Sequence, residues 1–142
     1  MLFLNNCGFT PIYSKKSQNF EINKIELIGD FKVNKLLSNS LKVYKNNPNA
    51  KDSYEMIVNS VLNKTTITKD KKGNAKQFSM NITVDIKVID NLNNEMKSKF
   101  SETSAYENSN NKFDLRKYEN NLKKNMTEKI FSEIMLFIEI KN

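Results

Sequence analysis

Between Phe78 and Val88 the chain alternates without a miss: Phe78, Met80, Ile82, Val84, Ile86 and Val88 are apolar, while Ser79, Asn81, Thr83, Asp85 and Lys87 are polar. Successive side chains of a strand point to opposite faces, so this segment predicts a long strand with one packed face and one wet face. A strand of that kind needs a covering layer on one side only. The polar runs 69–74 and 90–94 flank it and read as hairpin turns. They lead to neighbouring strands over 53–68 and 95–106, the latter alternating more weakly through Met96, Phe100 and Tyr106, as suits an edge. An earlier strand is expected over 20–28, where the alternation slips around Lys24 and marks a bulge.

Two segments supply the covering layer. Val33, Leu36, Leu37, Leu41 and Tyr44 recur at helical spacing over 31–46, with Asp30 placed to cap the start and Asn46-Asn47-Pro48 to end it. Asp114 stands at a plausible cap for a second helix, whose stripe runs through Leu115, Tyr118, Leu122, Met126, Ile130, Ile134 and Phe137. Its end, from Ile130 to Ile140, is apolar around more of the helix than one core stripe needs; Glu133 and Glu139 interrupt a run already too short to span a membrane. The expected fold is α+β, a single domain over 19–142 with order β-α-β-β-β-α, in which two helices pack on one face of a four-stranded, mostly antiparallel sheet.

The chemistry open to this chain is narrow. With no His, one Cys and no Trp, it has no imidazole base, no Ser-His or Cys-His pair and no ordinary zinc site. Asp85 and Glu102 fall on strands without the partners a catalytic pair needs. We therefore expect no catalytic residue, no metal and no cofactor. Lys and Arg total 23 against 16 acidic residues, a net charge of +7, and Arg116 is the one arginine. A field of lysine point charges suits an anionic surface better than the bidentate reading of bases, for which arginine is the usual residue. The densest cluster is Lys69, Lys71, Lys72 and Lys76 on the expected 69–74 turn, either a solvated turn or a contact for an anionic ligand.

The start of the chain adds a second kind of signal. Leu2-Phe3-Leu4 gives way to Asn5-Asn6, and residues 1–6 read as the remnant of a signal peptide, ahead of an extended tether over 7–18. Cys7-Gly8-Phe9-Thr10-Pro11-Ile12-Tyr13 resembles the mature start of the lipopolysaccharide-assembly lipoproteins of the outer membrane, the LptE type, in the form Cys-Gly-Phe-x-Pro-Leu-Tyr. The layout of that family, a tether, a strand, an amphipathic helix, a run of strands and a long last helix, matches the order read above. Leu4 stands at the lipobox position three residues before Cys7, whereas Asn6 stands where the family has a small residue.

The resemblance implies that Cys7 carries acyl chains that anchor the protein on the periplasmic side of the outer membrane. It also implies that the folded part sits within a β-barrel lipopolysaccharide translocon, helps assemble it and touches lipopolysaccharide, for which Lys69, Lys71, Lys72 and Lys76 are the candidate contacts. No catalysis and no nucleic acid enter this account. The competing class is a cytosolic basic α+β module that binds RNA or a protein. Against RNA stand the near absence of arginine and the sparse aromatics on the polar strand faces.

Overall fold

The computed structural model describes residues 19–141. The expected remnant at 1–6, the tether at 7–18 and Cys7 lie outside the described residues. The elements are β1 (Phe20–Gly29), α1 (Phe31–Leu41) with a short 3-10 turn (Lys42–Tyr44), β2 (Asp52–Lys69), β3 (Ala75–Ile89), β4 (Glu95–Glu107) and α2 (Lys112–Lys141). The sheet order is β1-β2-β3-β4; β1 runs parallel to β2, and the other neighbours are antiparallel. This is the α+β architecture that the sequence predicts.

The alternation in β3 decides which face is covered. Met80, Ile82, Val84, Ile86 and Val88 are buried, and Tyr54, Met56 and Val58 of β2 lie beside them. In β1 the pairing passes from Ile22↔Tyr54 to Lys24↔Glu55 and leaves Asn23 as the extra residue. That bulge puts Ile25 and Leu27 opposite Met56 and Val58 on the core face, where strict alternation would have turned them outward. The slip in the sequence is therefore what keeps one apolar face continuous.

Asp30 caps α1 through its Oδ1, which accepts from the Val33 N–H at 2.9 Å. The α-helix stops at Leu41, short of the expected 46, and tightens into the 3-10 turn. The tighter turn brings Tyr44 against Phe20, ring centroids 5.5 Å apart, and Asn46 leaves the helical region at φ 56°. Asn34 joins the buried stripe while Leu36 is only half-buried. The amide is tolerated there because its Oδ1 accepts from the Ser60 hydroxyl at 2.7 Å.

The second helix starts earlier than expected. Its cap is Asn111, whose Oδ1 accepts from the N–H groups of Phe113 at 3.0 Å and Asp114 at 3.2 Å. Asp114 lies in the first turn, where its charge meets the positive end of the helix dipole. The broad apolar band at the far end of α2 is used on two sides. Phe131 packs on Tyr44 and Phe137 on Phe100, each pair 6.1 Å apart, around buried Ile130, Ile134, Met135 and Ile138. Leu136 and Ile140 stay exposed, and no helix among the described residues is long and apolar enough to cross a membrane.

Candidate functional site

The four lysines singled out in the sequence do come together. Lys69 ends β2, Lys71 and Lys72 occupy the turn, and Lys76 is the second residue of β3; all four are exposed. Asp70 builds the turn. Its Oδ1 accepts from the backbone of Lys72 and of Asn74, each at 2.9 Å, and its Oδ2 accepts from the Asn74 side chain at 3.3 Å. Those bonds, the Asn74 backbone N–H first among them, hold the Asp70 carboxyl below the usual aspartate range. Gly73 takes φ +86°, a conformation that disfavours a Cβ.

The chain repeats this turn at the other end of β3 and so shows which of its residues are structural. Asp90 Oδ1 accepts from Leu92 at 2.8 Å and Asn94 at 2.9 Å, and Asn93 stands in for glycine at φ 63°. The invariants are the Asp, the left-handed residue and the final Asn. The two middle positions are Asn91 and Leu92 in one turn and Lys71 and Lys72 in the other. Lysine is thus not required by the turn, and among the described residues none of the four hairpin lysines is in an ion pair.

Asp85 and Glu102 are on opposite faces of the sheet and form no pair. Asp85 lies on the open face, 3.7 Å from Lys99. Glu102 lies on the helix side, opposite Ile82, and accepts from Lys129 of α2 at 2.9 Å. The remainder of the open face is a lattice of small polar groups. Asn81 donates to Thr103 Oγ1 at 2.8 Å and Ser101 Oγ at 3.1 Å, and Thr83 donates back to Asn81 Oδ1 at 3.1 Å.

Pattern reading missed a cluster where α2 crosses the hairpin end of the sheet. Glu119 Oε1 accepts from the Tyr106 hydroxyl at 2.6 Å and from the Lys64 ammonium, which also sits 4.1 Å from the centre of the Phe78 ring. Burial raises the Glu119 carboxyl, but the hydrogen bonds from Lys64 and Tyr106 outweigh it and hold the group below its ordinary value. Burial, and then the bond to Glu119, push the Tyr106 hydroxyl up. Beside this cluster an open groove of about 580 Å³ runs between the end of β4 and the start of α2, lined by Gln77, Tyr106, Glu107, Asp114, Leu115 and Tyr118. No sequence signal links Lys64 to Glu119, which are 55 residues apart and meet only through the strand register. Among the described residues there is no group of His, Cys, Asp and Glu that could hold a metal ion.

The fold so defined is one found among solved bacterial lipoproteins. The rare lipoprotein B of Shewanella oneidensis matches with a TM-score of 0.57 at 13% identity, over 84% of this chain and 100% of that one. A lipoprotein B of Nitrosomonas europaea matches at 0.54 and 14% identity, over 86% of each chain. A minor lipoprotein of Acinetobacter baumannii matches at 0.51 and 16% identity, over 79% of this chain and 91% of that one. No protein-family model matches the sequence, and no curated protein matches it significantly.

Proposed function

We propose that this chain is an envelope lipoprotein, anchored through Cys7 on the periplasmic side of the outer membrane, that fits into and helps assemble a β-barrel lipopolysaccharide translocon. The observation that carries the reading is the agreement of two independent features. The fold matches rare lipoprotein B of Shewanella oneidensis over the whole of that chain. The heptapeptide from Cys7 to Tyr13, which lies outside the described fold, resembles a lipidated start. Its chemistry is that of anchoring and contact, with no reaction to perform.

The geometry supports a division of labour. Asn19, the first described residue, is held at the start of β2, where its carbonyl accepts from Lys51 at 2.6 Å and Asp52 at 3.2 Å. The lysine hairpin lies at the other end of β2, whose 18 residues span roughly 60 Å at the rise of a strand. A tether from Cys7 to Asn19 reaches at most about 40 Å. The lysines therefore stand at the end of the sheet far from the residue where the tether joins, and there their point charges meet the phosphates of lipopolysaccharide in transit. Metabolic labelling with a clickable fatty acid, in a diderm bacterium expressing the chain behind a complete signal sequence, tests the anchor. The wild type is labelled and Cys7→Ser is not; equal labelling of both, or of neither, removes the anchor from the account.

A further inference from the structure

β1 ends at Gly29, opposite Ser60, and the chain turns away into α1 after Asp30 donates its N–H to the Ser60 carbonyl at 3.0 Å. β2 runs on for another nine residues, to Lys69, paired with β3 alone. The Asp30 bond fixes which way the backbone points. Because Ser60 faces the β1 side, every second residue beyond it does the same, and the Leu62, Lys64 and Thr66 N–H and C=O groups face outward. None of these six groups has a backbone partner among the described residues.

We propose that this re-entrant edge, Val61 to Ile67, takes an extended acidic segment of a partner protein as an added strand in the row that β1 vacates. The edge has the composition of a strand that expects a neighbour: Val61, Thr65, Thr66, Ile67 and Thr68 are β-branched, and Val61 and Ile67 are 42% and 49% exposed. Its defences are few: the bulge at Ile67 lies at its far end and leaves Val61 to Thr66 in regular register with β3. Lys64, the one charge within it, is engaged by Glu119 and by the Phe78 ring. The outer edge of β4, by contrast, carries Glu95, Lys97 and Lys99 along its first half, the pattern that discourages pairing. Just past the β2 edge stand Lys69, Lys71, Lys72 and Lys76, with Asp70 the one acid among them and bound into the turn. An incoming strand whose hairpin-side end is acidic satisfies both the open backbone and the unpaired charge. This surface shares the hairpin lysines with the glycolipid contact but adds the open backbone of β2, so loss of binding on N-methylation of the peptide reads the added strand apart from the glycolipid and the anchor.

The probe is a synthetic peptide in which Val and Thr alternate over about six residues, the usual length of a strand, and then run into several glutamates. Amide hydrogen exchange is followed residue by residue on the protein from Asn19 onward. With peptide bound, the Leu62, Lys64 and Thr66 amides slow by about tenfold or more, while those of Ser101 and Thr103 on the β4 edge do not change. N-methylation of alternate peptide amides, or replacement of its glutamates by lysines, weakens binding by about tenfold or more. Thr66→Pro, which removes an outward N–H without touching the β3 ladder, does the same with the melting temperature kept. Protection of the β4 edge instead, undiminished binding of the N-methylated peptide, or absence of any binding overturns the proposal.

Discussion

The Ser60 carbonyl oxygen occupies the space beside Gly29 that any other residue would need: a Cβ built there lies 1.9 Å from that oxygen, with φ at +103°. The same oxygen accepts the Asp30 N–H, so one contact ends β1, starts the cap of α1 and leaves the distal edge of β2 open.

Gly29→Ala therefore carries both a backbone clash and a strained φ, and is expected to lower stability by about 3 kcal/mol or more. Gly73→Ala shares only the second problem, since nothing lies within 4 Å of its Cβ position at φ +86°. It should cost about 1 kcal/mol, and Gly73→Asn less, because Asn93 already serves in the matching turn. Chemical denaturation of the three variants gives the order; equal losses for Gly29→Ala and Gly73→Ala would contradict the close approach.

The Lys64–Glu119–Tyr106 cluster sets an acid limit on stability. Glu119 is held below its ordinary value of 4.5, so its contribution is present above that pH and is lost as the pH falls through the lower folded value. Glu119→Gln is expected to be less stable than wild type at neutral pH by about 1–2 kcal/mol, with the gap closing as the pH falls through the lowered folded value. Tyr106 is shifted the other way, above 10.0. Its contribution is present below that pH and is lost as the pH rises through the folded value, which Tyr106→Phe removes. Urea titrations across the pH range read both limbs, and a gap independent of pH would sink the assignment.

The faces of β3 make a sharp contrast between neighbours. Ile82 is fully buried, whereas Asn81 lies on the open face, donating across to β4 and accepting from Thr83 beside it. Ile82→Ala should cost about 2–5 kcal/mol and Asn81→Ala less than about 1 kcal/mol. Comparable melting of the two variants would mean that the helices cover the other face.

Much of this was legible in the chain. The uninterrupted alternation at 78–88 gives the sheet its faces, and the slip at Lys24 marks the bulge, because strands obey a strict period and a break in it has one main cause. The cap of α2 was misread because Asp114 and Asn111 are both good caps, and only the backbone shows which one accepts the first N–H groups. The lysine hairpin follows from local sequence. The separation of Asp85 from Glu102 follows from the same alternation, since Glu102 keeps step with Phe100 and Tyr106 while Asp85 is out of step with Val84 and Ile86. The Glu119 cluster depends on register and helix placement, which no local pattern encodes.

The central claim is partnership with an outer-membrane barrel, and affinity capture of the tagged, lipidated chain from detergent-solubilised outer membranes tests it most directly. The account predicts recovery of the lipopolysaccharide-assembly β-barrel in near-equal amount. It also predicts that a variant with Lys69, Lys71, Lys72 and Lys76 all changed to Ser still recovers the barrel, while its salt-sensitive binding of lipopolysaccharide is lost. A wild-type chain that brings down no large barrel protein, or brings down RNA, would contradict the account.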